Sequence, residues 1–289
     1  MKKEAFDRIY RNVPQAQRDL LFSFRASHAP RHLEADGFDW EYIAGGQAEE
    51  TLVILPGGLR SGEAAFHLIL ELEKEYRVIA PTYPAAPRIG QWVDGIKAIL
   101  DNEKIRQAHL FGSSAGGMVC QCFVRKYPQK VNKLVMGDTT LPDRARGKRY
   151  IKTSSMLPFL PIRLVKVLGK RRIPKMVAIF PEDVRAFWQA YLSELMEIIF
   201  NRAWITASYQ AGIDYLMNYT FHLDDLDQWP GKMLIIESDD DVTIGLEQLK
   251  ALKEMYPRAQ VHTFHNAGHA PALTRENEYI ELLRNFLKE

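Results

Sequence analysis

Beyond residue 50 the apolar residues arrive in short blocks. Thr51–Leu55, Tyr76–Ala80, Ala108–Gly112, Lys133–Gly137 and Met233–Ile236 are each too short for a helix, apolar on both faces and bounded by Gly or Pro. Buried parallel strands have this texture. Gln260–Phe264 reads as a further strand. Between the blocks, helical spacing predicts helices over Glu63–Glu75, Gln91–Asn102, Ala115–Lys126 and Leu246–Met255. Strands alternating with helices imply βαβ units, right-handed crossovers and a mostly parallel sheet covered on both faces: an α/β chain.

Two stretches break the rhythm. Residues 1–35 are charged and loosely amphipathic, with Phe6, Ile9, Tyr10, Leu20, Leu21 and Phe22 spaced like one helix face, and read as a packed N-terminal extension. From Pro142 to Gln228 there is no strand-like run, only helical segments such as Asp183–Phe200 and Arg202–Tyr215. The expected division is therefore an extension at 1–35, a core at 36–141 and 229–289, and a helical cap at 142–228.

Composition narrows the class. With 46% hydrophobic and 11% aromatic residues the chain can bury a large core, which excludes intrinsic disorder. A formal charge of +2 leaves no global nucleic-acid footprint. The two cysteines, Cys120 and Cys122, exclude a disulfide scaffold and fit a reducing compartment; two apart on a helix, they point away from each other as core thiols. The N-terminus, Met1-Lys2-Lys3-Glu4, has no apolar run behind its basic residues, and no stretch approaches 18 uncharged apolar residues. A cytoplasmic globular protein is the expectation.

Charge is uneven within the insertion. Arg144, Arg146, Lys148, Arg149, Lys152, Arg163, Lys166, Lys170, Arg171, Arg172 and Lys175 stand in a segment without an acidic residue, interleaved with Met156, Leu157, Phe159, Leu160, Ile162, Leu164, Val165, Val167 and Leu168. A solvated basic face on a lid is the plainer reading; a membrane-surface or anionic-ligand site is the sharper one. If the insertion is a lid, its apolar side should face the site and its basic run the solvent. Basic side chains reaching inward would point to an anionic substrate.

The segment Leu110-Phe111-Gly112-Ser113-Ser114-Ala115-Gly116 carries the candidate chemistry. Gly-x-Ser-x-Gly alone is weak, but here it follows a strand and opens a helix, the setting a nucleophile elbow requires. A serine hydroxyl needs an adjacent base. Among eight histidines, His269 lies just beyond the strand Gln260–Phe264, at the sheet edge where α/β folds place their sites; His265 is the second candidate. An orienting carboxylate should come from Asp239, Asp240 or Asp241, which follow the strand Met233–Ile236. The order Ser, Asp, His is that of an α/β-hydrolase triad.

From about residue 48 onward the chain resembles the α/β-hydrolase superfamily of the kind with a helical cap. The marks are Leu55-Pro56-Gly57-Gly58, Tyr76–Pro81, the Gly112–Gly116 elbow, Asp239–Asp241 and Ala267-Gly268-His269. The resemblance implies an acid three residues after a strand-closing Gly. Ser238 stands in that place, so the acid falls at Asp241 with Ile244 following, while Asp240, and Asp138 after the preceding strand, stay open. It further implies an oxyanion hole from the N–H of Ala115 and of Gly58 or Leu59, although Pro56 replaces a common His. The N-terminal half is more weakly similar to maspardin-type proteins, through Tyr76–Pro84 and His109–Gly112.

The expected function is serine-dependent hydrolysis of a carboxylic ester through an acyl-enzyme, without metal or organic cofactor. The partner is a small-molecule ester or lactone. A lactone or carbon–carbon hydrolase with the same triad, or a maspardin-like binding protein, is the alternative. Peripheral membrane contact through the basic cap is left open.

Overall fold

The apolar runs pair side by side in one sheet. The computed structural model describes residues 3–156 and 159–289; Met1 and Lys2 of the charged N-terminus, and Leu157 of the basic run, lie outside them. Eight strands, β1 (Arg31–Ala35), β2 (Phe38–Gly45), β3 (Thr51–Leu55), β4 (Arg77–Thr82), β5 (Ala108–Ser113), β6 (Val131–Gly137), β7 (Lys232–Ser238) and β8 (Gln260–Phe264), lie in the order β1-β2-β4-β3-β5-β6-β7-β8. From β4 to β8 every pairing is parallel, while β1 and β2 are antiparallel to their neighbours.

The leading hairpin was not legible as a block of apolar residues. Residues 31–35, counted with the extension, belong to the sheet: Arg31 pairs with Tyr42 and Ala35 with Phe38. β1 is an edge strand bearing Arg31, His32 and Glu34, so it has no apolar run. Its turn is Asp36-Gly37, both with positive φ (53° and 77°), the geometry that favours Asp-Gly in tight hairpins.

The helices are α1 (Lys3–Ile9), α2 (Gln15–Ser27), α3 (Phe66–Leu72), α4 (Ile89–Asn102), α5 (Ala115–Lys126), α6 (Arg144–Met156), α7 (Ile162–Lys170), α8 (Ile173–Met176), α9 (Glu182–Ile198), α10 (Arg202–Asn218), α11 (Leu246–Met255), α12 (Pro271–Thr274) and α13 (Glu276–Lys288). Along β7, Leu234 and Ile236 join one apolar cluster with Phe66, Tyr279 and Leu283. Met233 and Ile235 join another with Val53, Ile96 and Val119. The two-residue period of a strand sends alternate side chains to opposite faces, so both faces are buried.

Helices α6 to α10 occupy the interval between β6 and β7. The N-terminal helices pack against them: Phe6, Tyr10, Leu21 and Phe24 share a cluster with Phe187, Trp188 and Tyr191 of α9. Arg25 of α2 donates to Glu63 at 2.6 Å and to Glu194 of α9 at 3.0 Å. The extension is thus a packed element.

Candidate active site

Sheet order sets where a site can form. The chain leaves β3 for β4 on one side and continues to β5 on the other, so β3 and β5 diverge at a switch point, where crevices open at strand C-terminal ends. The Pro56–Gly58 loop and the Ser114 turn flank that crevice.

Ser114 has φ 54° and ψ −117°, a conformation costly for a residue with a Cβ. Its N–H donates to Gly137 O at 2.8 Å and its carbonyl accepts from Thr139 Oγ1 at 2.8 Å, which hold the turn. The flanking glycines are required sterically. A Cβ at Gly112 would stand 2.4 Å from the carbonyl carbon of Gly116, and one at Gly116 would stand 2.2 Å from Leu55 O. Strand and helix therefore approach closely enough to project Ser114 above the sheet.

His269 Nε2 lies 3.1 Å from Ser114 Oγ, and its Nδ1 lies 2.7 Å from Asp241 Oδ2. The Asp241 side chain is fully buried. Burial raises its pKa, but hydrogen bonds from His269 and from the Thr243 and Ile244 N–H groups outweigh this and hold the carboxyl below its usual range. An ionised carboxylate there fixes the orientation and tautomer of the imidazole ring.

The neighbouring acids take other partners. Asp239 meets His265, the second candidate base, at 2.6 Å on the surface. Asp240 accepts from Ser238 Oγ at 2.7 Å and from the Gly268 N–H at 2.8 Å. Ser238, the departure from the family pattern, also accepts from the Ala267 N–H at 3.3 Å, so its hydroxyl ties the acid turn to the histidine loop. Asp138 is buried, and neither carboxyl oxygen has a hydrogen-bond partner among the described residues. Burial, then the charges of Asp241 and Glu237, push its pKa well up.

Ser114, Ala115 and Gly58 share the wall of a cavity of about 450 Å³. Ala115 opens α5, so its N–H has no carbonyl one turn back within the helix. Leu59, the other oxyanion candidate, turns its side chain into the core and does not line the cavity. The opposite wall comes from the insertion: Tyr150 and Thr153 of α6, Phe200, and Trp204, Ser208 and Tyr209 of α10. Among the aromatics of α9 and α10, Trp204 and Tyr209 reach the cavity, whereas Phe187, Trp188 and Tyr191 stack among themselves and with Phe66.

The basic run faces solvent at Arg144, Lys148, Arg149 and Lys152. Arg146 departs from that expectation: it lines the cavity and donates to Thr243 O at 3.4 Å. The reason is helical phase, since Arg146, Gly147, Tyr150 and Ser154 form the less exposed side of α6.

A second cation was missed altogether. Arg60, only 2% exposed, lies two residues past Gly58 in the loop after β3. Its guanidinium sits 4.9 Å from the ring centroids of both Trp92 and Trp204. It donates to Trp204 O at 3.0 Å, Ser208 Oγ at 2.6 Å, Tyr83 O at 3.1 Å and Pro84 O. No carboxylate partners it among the described residues, and burial pulls its pKa down to about 10. Nothing in a Leu-Arg-Ser sequence marks such a residue; only the fold brings the two tryptophans to it.

Among the described residues no group of three or more His, Cys, Asp or Glu is placed to hold a metal ion. Cys120 and Cys122 are free and buried, and burial pushes both thiols up, as core positions do.

Comparison with known proteins agrees with the geometry. A 2-hydroxy-6-oxononadienedioate/2-hydroxy-6-oxononatrienedioate hydrolase from a Pseudomonas species is 23% identical over 265 residues, covering 84% of this chain and 89% of that one. A poly(3-hydroxyalkanoate) depolymerase from Ectopseudomonas oleovorans is 24% identical over 272 residues, covering 84% and 87%. Maspardin from Danio rerio is 34% identical, but over 89 residues, 29% of this chain and 28% of that one. Among solved structures, the 2-hydroxy-6-oxo-6-phenylhexa-2,4-dienoate hydrolase of a Rhodococcus strain superposes with TM-score 0.73 at 16% identity, covering 91% of this chain and 99% of the other. The model of the alpha/beta hydrolase family matches residues 52–282, and with the eight-stranded sheet this makes the chain a member of that family and a hydrolase.

Proposed function

We propose that the protein hydrolyses a carboxylic ester through an acyl-enzyme, with Ser114, His269 and Asp241 as its triad. The observation that carries the reading is the unbroken relay from the buried Asp241 carboxylate through His269 to Ser114 Oγ. Ser114 attacks the ester carbonyl as His269 Nε2 takes its proton, and the imidazolium gains from Asp241. The oxyanion settles on the N–H groups of Ala115 and Gly58, each worth about 2.7–4 kcal/mol in the transition state. His269 returns the proton to the leaving alcohol, then activates the water that frees the acid.

The helical insertion acts as a cap. Its aromatics close the cavity, exclude water and set which acyl groups fit. Among the described residues the cavity wall holds Arg60 and Arg146 and no acidic residue, so a substrate with a negative charge away from the scissile carbonyl suits it best. The poly(3-hydroxyalkanoate) depolymerase relative supports ester chemistry. The relative acting on an oxononadienedioate supports a second reading, hydrolysis of a carbon–carbon bond beside a ketone by the same triad.

A panel of activated esters, hemiesters of dicarboxylic acids, lactones and vinylogous diketo acids, assayed on wild type and Ser114→Ala, tests this reading. Ser114-dependent turnover of esters, fastest on hemiesters, is the expected result; Ser114-dependent turnover of diketo acids alone would establish the second reading.

A further inference from the structure

The cap carries an apolar face that the chain leaves uncovered. In α7, Leu164, Val167 and Leu168 are 43%, 46% and 45% exposed, and Phe159, just before the helix, is 85% exposed. At 100° per residue, Arg163, Val167, Arg171, Leu164 and Leu168 fall within an arc of about 140°, so the outer face of this helix alternates basic and apolar groups. The inner side, Ile162, Val165 and Gly169, is only part-exposed. Contiguous exposed apolar side chains on a water-facing helix mark an interaction surface.

Charge identifies the partner. From Arg144 to Lys175 the chain has eleven Lys and Arg and no Asp or Glu. Lys166 and Lys170 are engaged by Glu197 of α9. Arg163 and Arg171 stand within this face, and with Arg172 and Lys175, exposed just beyond the helix, they form no ion pair among the described residues. The surface is a convex helix rather than a groove, with apolar tips between long cationic stems. Such a face lies in the headgroup layer, with Phe and Leu entering the acyl boundary and Arg and Lys meeting lipid phosphates. No helix among the described residues is long and apolar enough to cross a membrane, so contact would be peripheral.

We propose that the outer face of α7, with Phe159, docks the protein on anionic bilayer surfaces. Because this face lies outside the catalytic cavity, the proposal stands whether or not the ester reading holds.

Co-sedimentation of the full chain with phosphatidylcholine vesicles, and with vesicles containing 30% phosphatidylglycerol, tests it. Binding should be confined to the anionic vesicles and weaken as salt rises. Replacing Arg163, Arg171 and Arg172 together by Gln should weaken it about a hundredfold, since each basic residue near such a surface is worth about 1 kcal/mol. The triple substitution Phe159→Ser, Leu164→Ser, Leu168→Ser should weaken it at least tenfold, with unchanged thermal melting showing an intact fold. Three results would overturn the proposal: no pelleting with anionic vesicles, undiminished binding by the apolar triple variant, or a dimer in light scattering that this variant abolishes, which would assign the face to a second copy of the chain.

Discussion

The Arg60 guanidinium donates to the Trp204 carbonyl at 3.0 Å while lying 4.9 Å from the centroid of that residue's own ring. One contact fastens α10 to the loop after β3 by hydrogen bond and by cation–π attraction. The Tyr83 and Pro84 carbonyls complete the cage from the core side. Replacing Arg60 by Met should leave these acceptors unsatisfied and destabilise the protein by roughly 2–4 kcal/mol, read as a lower midpoint in urea unfolding. Arg60→Lys retains charge but not the planar fork, and should recover less than half of the loss.

Arg146 should read substrate charge. Arg146→Gln is expected to raise KM at least tenfold for a hemiester of a dicarboxylic acid, and to leave turnover of a small neutral ester within a few-fold. The same substitution at Arg144 or Lys148, both exposed, should change neither. Equal KM changes on charged and neutral esters would show that Arg146 shapes the cavity rather than its charge.

The three consecutive aspartates separate by partner. Asp241→Asn should cost several orders of magnitude in kcat, because asparagine cannot stabilise the imidazolium and favours the wrong tautomer of His269. Asp239→Asn, which loses only the surface contact with His265, should keep near-normal kcat. Asp240→Asn should act through stability, since Asp240 holds the Ser238 hydroxyl and the Gly268 N–H.

Asp138 makes the opposite prediction. Its folded pKa is raised, so the fold opposes its ionisation. The resulting penalty is absent below the unfolded carboxyl pKa, near 3.9, and grows as pH rises above it. Asp138→Asn, a neutral isostere, should therefore stabilise the protein at pH 7 by at least about 2 °C in Tm and make no difference near pH 3. A destabilised variant at pH 7 would mean that the charge has a partner.

The parallel strands, and the placing of Ser114, Asp241 and His269 after strand ends, were legible because each rests on a local signal. Buried strands are short apolar runs, and Ser114 and Asp241 each follow one, while His269 follows the half-exposed edge strand β8. The hairpin of β1 and β2 was hidden because an edge strand needs no apolar run, although Asp36-Gly37 marks its turn. The resemblance put the acid at Asp241 and left Asp240 and Asp138 open; only side-chain partners tell these apart, because a single turn of chain points adjacent carboxylates in different directions. Arg60 and Arg146 were illegible as cavity residues for a different reason. Whether a cation faces water or a pocket depends on elements distant in sequence, here α4 and α10 for Arg60 and the Thr243 loop for Arg146.

The most direct test of the account is covalent. Intact-mass and peptide mass spectrometry after treatment with a fluorophosphonate should show one adduct, on Ser114, formed far more slowly in His269→Ala and absent in Ser114→Ala, which should also lose ester hydrolysis. An adduct on another residue, or a Ser114→Ala variant that keeps a tenth of the wild-type activity, would contradict it.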